Sequence, residues 1–204
     1  SNILVDPFKV ELKICDFGSA KKLEPNQPSV LYICSRYYRA PELIVGCQIY
    51  TTKIDIWGLG CVVAEMFLGK PIFQGQLPEL QLKEILKLLG PPPKTFFFKS
   101  NPHYRGDMYL TRLFLCSVEE RFQQVFLNSP PDAVDLLLKI LVYDPAARAS
   151  PRRILVHPFF HELKKENFQV YPRGSSEPIK LDLFNFSQFE LDLMGSLKDE
   201  IVRS

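Results

Sequence analysis

The sequence predicts a mainly α fold that is entered through short β structure. Three observations lead there. Apolar residues recur at helical spacing between Thr51 and Leu68, between Glu79 and Leu89 and between Ser129 and Leu141, each stretch bounded by capping or stopping residues. Ahead of them, Val10-Glu11-Leu12-Lys13-Ile14 alternates in polarity as a half-buried strand does. The hydrophobic fraction is 46% over 204 residues, ordinary for a globular protein and enough for one domain with a core.

From the N-terminus, Ile3-Leu4-Val5 reads as a first strand and residues 10–14 as a second. Asp16-Phe17-Gly18 follows. Asp16 then stands just past a strand end, where its carboxylate can reach a metal while the strand holds its backbone. Magnesium in phosphoryl transfer takes hard oxygen ligands, and only one or two of them from protein. Gly18 is expected to let the chain turn away behind that ligand. A polar loop with Lys21 and Lys22 leads to Tyr32-Ile33-Cys34-Ser35-Arg36-Tyr37-Tyr38, and the segment closes on Arg39-Ala40-Pro41-Glu42. The rings of Tyr37 and Tyr38 are expected to pack. Asp-Phe-Gly alone is weak, because a strand and a turn explain it. Ala-Pro-Glu at this distance and in this order makes the pair far more specific.

Thr51 or Thr52 is expected to cap a helix that runs to about Leu68. Ile54, Trp57, Val62, Val63, Met66 and Phe67 surround most of its circumference, which predicts a buried helix. Asp55 in its first turn suits the macrodipole. Gly58 and Gly60 lie inside this apolar run without a third glycine, so they read as helix packing and not as a phosphate loop. Gly69-Lys70-Pro71 ends the helix. Pro78 starts another over 79–89, with Leu80, Leu82, Ile85, Leu86, Leu88 and Leu89 as its apolar face, and Gly90-Pro91 stops it. Phe96, Phe97 and Phe98 cannot all enter one core and read as a surface insertion partly packed on the domain. Residues 107–124 are of mixed polarity and carry no assignment.

Ser129-Pro130-Pro131-Asp132 is expected to cap a helix to about Leu141, with Val134, Leu136, Leu137, Ile140 and Leu141 towards the core. Ser150 and Pro151 start a last short helix to about His157. His157 and His161 have metal-binding spacing for a helix, but Pro158 lies between them and no Glu follows the first, so they read as structural. Beyond Phe160 the chain is polar and expected to be irregular, with Leu183–Phe186 as a reattachment point; residues 187–204 are a helix or a tail.

A net charge of +2 gives no argument for nucleic acid or for a membrane. The five cysteines are scattered without a Cys-x-x-Cys, as in the reduced thiols of a cytoplasmic or nuclear protein. The longest apolar run, residues 56–64, is about half of the roughly twenty residues a membrane-spanning helix needs. The chain opens on Ser and without a leader pattern, and it reads as a fragment.

Residues 15–21 and 32–44, with Asp55-Ile56-Trp57, Pro71-Ile72-Phe73 and Leu183-Phe184-Asn185-Phe186, carry a resemblance. The segment from Asp16 to Glu42 resembles the activation segment of eukaryotic protein kinases, and its wording is close to that of the glycogen synthase kinase 3 (shaggy-like) family. The similarity spans almost the whole chain and is loosest over 92–130. It implies a protein-kinase large lobe with a β-hairpin remnant at its N-terminus: a partial kinase domain over 1–161 and a C-terminal extension over 162–204. It also implies transfer of phosphate from ATP, with Mg²⁺, to Ser or Thr of protein substrates.

The resemblance distributes roles along the chain. Asn2 falls where the Asn of the kinase catalytic loop lies, so Asn2 and Asp16 are implied as the catalytic, metal-holding pair. The catalytic Asp would stand just ahead of residue 1, and the Gly-rich loop, the phosphate-binding lysine and its glutamate partner have no counterpart in this sequence. Lys21 matches one of three basic residues that accept a phosphate already on the substrate, so pre-phosphorylated substrates are implied. Arg36, Tyr37, Tyr38 and Arg39 fall in the substrate-facing end, with Arg36, Tyr38 and Arg39 as the implied substrate-binding residues. Tyr32 stands at a phosphotyrosine position, with Arg36 and Arg39 as its expected phosphate partners. Glu42 and Arg148 are implied as a pair that ties the segment to the last helices, and Asp55 as a pin for the catalytic-loop backbone. A groove for scaffold helices is implied over 79–109. Tyr104 fits it, whereas Asp107 and Tyr109 replace phenylalanines and Lys83 an aliphatic residue. Two readings remain: a Ser/Thr kinase of which this is the C-terminal part, or a truncated, non-catalytic lobe that binds proteins. The metal ligands Asn2 and Asp16 favour the first, because a binding module does not need them.

Overall fold

The computed structural model describes residues 2–104 and 116–202. In chain order its elements are β1 (Ile3–Asp6), β2 (Glu11–Ile14), α1 (Pro41–Ile44), α2 (Lys53–Leu68), α3 (Pro78–Leu89), α4 (Lys94–Ser100), α5 (Val118–Val125), α6 (Pro131–Ile140), α7 (Pro151–Leu155), α8 (Gln188–Met194) and α9 (Lys198–Val202). Short 3-10 helices occupy Arg36–Tyr38, Pro158–Lys164 and Gly195–Leu197. The fold is mainly α with one hairpin, as the sequence predicts. No helix among the described residues is long and apolar enough to cross a membrane.

The chain forms two compact units, Ser1–Lys22 with Arg152–Ser204, and Leu23–Pro151. The boundary expected at 161/162 falls inside the first of them.

In the first unit β1 and β2 pair antiparallel with Ile3 opposite Ile14 and Val5 opposite Leu12. Asp6 closes the hairpin by accepting from the amides of Phe8 (2.9 Å) and Lys9 (3.2 Å). The register gathers Ile3, Val5, Leu12 and Ile14 on one face. The expectation of half-burial is corrected here, because these four side chains are 40–64% exposed. Alternation reports which face is apolar; whether it is covered depends on what packs there. Further along, Val170 and Ile179 form a single antiparallel bridge. Of the stretch expected as a helix or a tail, the described residues 188–202 are helical: Ser187 and Glu190 form a reciprocal capping box that starts α8.

In the second unit α2 is central. Trp57 is fully buried and stacks on Phe73 at 5.7 Å. Gly60 makes the contact with α6 possible, since a Cβ there would lie 2.5 Å from Cγ2 of Ile140 and 2.9 Å from Cδ2 of Leu141. This is the packing role its sequence context predicts. The expectation of a helix buried all round is corrected: Met66 is 75% exposed and Leu59 is also exposed. Burial falls instead on Ile54, Ile56, Trp57, Gly60, Cys61 and Ala64. Thr52 occupies the N-cap without a capping bond, while the Oγ1 of Thr51 accepts from the Lys53 amide at 3.4 Å. α6 likewise starts at Pro131 with Pro130 as N-cap, and no side chain of Ser129 caps it. α3 presents the predicted face, with Leu82, Ile85, Leu86, Leu88 and Leu89 buried and Leu80 left exposed.

The three phenylalanines sit on α4, where successive side chains diverge around the helix. Phe96 is buried against Tyr143 (5.3 Å), Phe97 stacks on Tyr104 (5.5 Å), and Phe98 points to solvent. The unassigned stretch contains α5, opened by a capping box of Ser117 and Glu120. Asp107 and Tyr109 lie outside the described residues. The last predicted helix is shorter than expected, ending at Leu155. His157 is buried and its Nδ1 accepts from the Phe159 amide at 3.3 Å, a capping role that needs no metal.

Candidate active site

The first unit carries the predicted metal ligands. β1 and β2 run side by side, and the Cys15 amide donates to the Asn2 carbonyl at 3.0 Å, so the residues that flank the two strands meet. Asn2 Nδ2 then lies 3.4 Å from Asp16 Oδ2. Both side chains are exposed. Asp16 has φ 62, in the left-handed region. Aspartate tolerates that region better than most residues, but it remains strained, and such strain concentrates at functional sites. The turn was expected at Gly18; its φ is not positive, and the backbone reversal begins at Asp16 itself. The Ala20 amide then closes onto the Phe17 carbonyl at 2.9 Å.

This donor set fits magnesium. A carboxylate and an amide oxygen are hard ligands, two in number, and open to solvent for the waters and phosphate oxygens that complete an octahedron. Among the described residues no cluster of three or more His, Cys, Asp or Glu offers a softer site. Lys21 is an exposed residue of this same unit.

The second unit carries the other predicted residues. Arg148 is buried and holds Glu42 through two bonds, Nη1 to Oε1 at 2.7 Å and Nη2 to Oε2 at 2.5 Å. Its remaining hydrogens go to the carbonyls of Val142 (2.8 Å), Lys53 (3.0 Å) and Tyr143 (3.3 Å). Its guanidinium also sits 5.1 Å from the Trp57 ring centre. Lys53 in turn donates to the carbonyls of Arg148 and Ala149; burial, and then the Arg148 charge, lowers its pKa. α1 is thereby fixed to α2 and to the loop after α6. Asn101 adds a second tie by donating to the Val45 carbonyl at 2.8 Å.

Ahead of Glu42 the chain is held residue by residue. Arg39 is buried and donates to the carbonyls of Ile33 (2.9 Å) and Cys34 (3.0 Å). Those bonds brace a turn in which Cys34 has φ 65. The Arg39 guanidinium also lies 4.6 Å from the ring centre of Tyr32, which is 77% exposed. Tyr37 and Tyr38 do more than pack. Tyr38 donates to Glu65 of α2 at 2.6 Å, which with partial burial pushes its pKa up to about 12. Tyr37 Oη accepts from Gln76 Nε2 at 2.9 Å, and Arg36 donates to the Gln76 carbonyl. Glu65 and Gln76 escape sequence reading, because each lies far along the chain in a context that carries no motif.

Asp55 is exposed in the first turn of α2, yet desolvation by its surroundings raises its pKa. A cleft of about 820 Å³ between the ends of α2, α3 and α5, lined by Phe73, Lys87, Leu88 and Arg121 among others, contains none of these residues.

The comparisons identify the family. The protein kinase domain family matches residues 1–160. Protein kinase MCK1 of Saccharomyces cerevisiae is 62% identical over 98% of this chain and 54% of its own length. Protein kinase gsk3 of Schizosaccharomyces pombe is 44% identical over 100% of this chain and 52% of its own. Glycogen synthase kinase 3 of Trypanosoma brucei brucei is 44% identical over 98% and 54%. The chain thus spans about half the length of the curated relatives it matches.

Proposed function

Since this chain belongs to the protein kinase family, we propose that the protein transfers the γ-phosphoryl group of ATP to serine and threonine hydroxyls of other proteins. The observation that supports this most is the meeting of Asn2 and Asp16 at the open end of the hairpin, where the Asn2 Nδ2 donates to Asp16 Oδ2 at 3.4 Å and an amide and a carboxylate stand side by side. In this reading both side chains hold Mg²⁺, as the catalytic-loop Asn and the Asp of Asp-Phe-Gly do in kinases. A metal held there would supply positive charge against the negative charge that develops during phosphoryl transfer. The protein's own part is positioning. The left-handed Asp16 aims its carboxylate, and the pairing of β1 with β2 fixes the spacing of the two donors.

In the same reading Lys21 receives a phosphate already present on the substrate, and Arg36, Tyr38 and Arg39 form the substrate-facing end of the segment, Arg39 from a buried position that braces the loop. Asp55 would hold the catalytic-loop backbone, which is a use for a carboxylate kept in a partly desolvated place. Tyr32 is the proposed phosphorylation site. Its exposed ring already lies against Arg39, and Arg36 stands four residues on, so both guanidinium groups are at hand for a phosphate. None of the five cysteines forms a disulfide, which suits a cytoplasmic or nuclear location. The alternative, a lobe that only binds proteins, is favoured by no particular feature of the structure, and a scaffold helix on the 79–109 groove is likewise left to experiment.

The test uses the protein extended to the length of its relatives, with Mg·ATP and peptides that offer Ser, Thr or Tyr as acceptor. Phosphate should appear on Ser and Thr, with a faster rate for pre-phosphorylated peptides, and mass spectrometry of the active enzyme should find phosphate on Tyr32. Binding of the peptides without transfer to any of them would overturn the catalytic reading in favour of the binding module.

A further inference from the structure

We infer that Gln76 is a positioning residue for the protein substrate: it holds the Arg36–Tyr38 turn by two separate bonds and so sets how the Tyr37 hydroxyl meets the substrate backbone. The inference rests on the reading of residues 36–39 as the substrate-facing end of the segment. Its observations are independent of that reading. The Gln76 carbonyl accepts from the Arg36 guanidinium, and the Gln76 amide donates to Tyr37 Oη at 2.9 Å. One exposed residue, 40 positions from Arg36, thereby grips two adjacent residues of a three-residue turn. The third, Tyr38, is held by Glu65 at 2.6 Å. The Arg36–Tyr38 turn buries no residue of its own. Tyr37 and Tyr38 are half-buried, so these polar bonds fix the turn together with packing.

The base on which Gln76 stands is rigid. Gly75 is buried, and its amide donates to Gln81 Oε1 at 2.8 Å. A Cβ at Gly75 would collide with the backbone of Gln81, so the loop lies directly on the start of α3. Gln81 itself is 1% exposed. Phe73, two residues before Gly75, is anchored on Trp57. A short loop fixed at both ends, with a polar side chain bonded to a half-buried turn, is an arrangement that transmits position.

The chemistry names what is positioned. Tyr37 Oη accepts from the amide, so its own proton remains to donate, and a peptide carbonyl of an extended substrate is the acceptor it suits. Loss of the amide frees the Tyr37 side chain and weakens substrate binding without touching phosphoryl transfer.

The experiment measures KM and kcat for a serine peptide, KM for Mg·ATP, peptide affinity by fluorescence anisotropy and the melting temperature, in the protein extended to the length of its relatives. Gln76→Ala and Tyr37→Phe should each raise the peptide KM several-fold and weaken peptide affinity equally, with kcat, the KM for Mg·ATP and the melting temperature unchanged. The double variant should be no worse than either single one. Equal peptide affinity in Gln76→Ala and the wild type overturns the role of Gln76. So does an effect confined to the melting temperature, or one that falls equally on Mg·ATP. Tyr37→Phe leaves the loop intact and decides the matter if Gln76→Ala does not fold. A wild type that binds the peptide but transfers no phosphate sinks the catalytic reading alone, because the affinity comparison still stands.

Discussion

Arg148 and Glu42 are both buried, and each satisfies the other, so neither can be removed alone without stranding a charge. Glu42→Ala and Arg148→Ala should each destabilise the second unit by about 3–5 kcal/mol. The double variant should lose less than the sum, and urea melts that show simple additivity would mean the two act separately. Arg148→Lys should not restore stability, because an ammonium cannot span two carboxylate oxygens and three carbonyls. Asp55 shows the opposite balance. Its pKa is raised in the folded chain by desolvation, so its charge opposes folding above that pKa and has no effect once both states are protonated. Asp55→Asn should therefore raise the melting temperature at pH 7, and the gain should vanish as pH falls below the model-peptide value of 3.8. A loss of stability at pH 7 would show that the macrodipole outweighs desolvation there. Residues that belong to motifs, Asp16, Glu42 and Arg148, are legible in the sequence because chemistry fixes their type and spacing. The left-handed backbone of Asp16 and the partners Glu65 and Gln76 are not, because tertiary proximity leaves no local mark.

Helices follow their breakers. α3 starts at Pro78 and stops before Gly90, whose amide returns to Leu86 at 2.8 Å, as the sequence indicates. Reading went wrong where local signals compete with packing. Thr52 and Ser129 look like caps, but neither side chain caps its helix. The Ser117–Glu120 box was present in a stretch whose mixed polarity hid it. Helix contact is sharpest at Gly60, where α2 and α6 touch. Alanine should gain about 1 kcal/mol of helix propensity at that position. The Cβ would meet Ile140 and Leu141 inside a closed core, and overpacking of this kind costs about 1–3 kcal/mol. Gly60→Ala should thus lower stability on balance, and Gly60→Ala with Ile140→Ala should recover part of the loss relative to the two changes summed. An unaltered melt for Gly60→Ala would mean that α6 moves away freely.

At the scale of the molecule, the expected site residues fall in both units. Asn2, Asp16 and Lys21 belong to the unit built on the hairpin, and Tyr32, Arg36, Tyr38, Arg39, Glu42, Asp55 and Arg148 belong to the helical unit. Fold class was readable because helical periodicity and one alternating strand survive in the sequence; the division into units was not, since it joins the chain's two ends by contacts distant in sequence. Asp16 is the residue on which the kinase reading turns, through its place beside Asn2 at the end of β2. The direct measurement is magnesium-dependent transfer of γ-phosphate to a serine peptide by the protein at its relatives' length, wild type against Asp16→Asn. Transfer by the wild type should rise with magnesium, and Asp16→Asn should show next to none at any magnesium concentration while melting at the same temperature. An Asp16→Asn protein that transfers phosphate at the wild-type rate would contradict the assignment of this carboxylate to the metal.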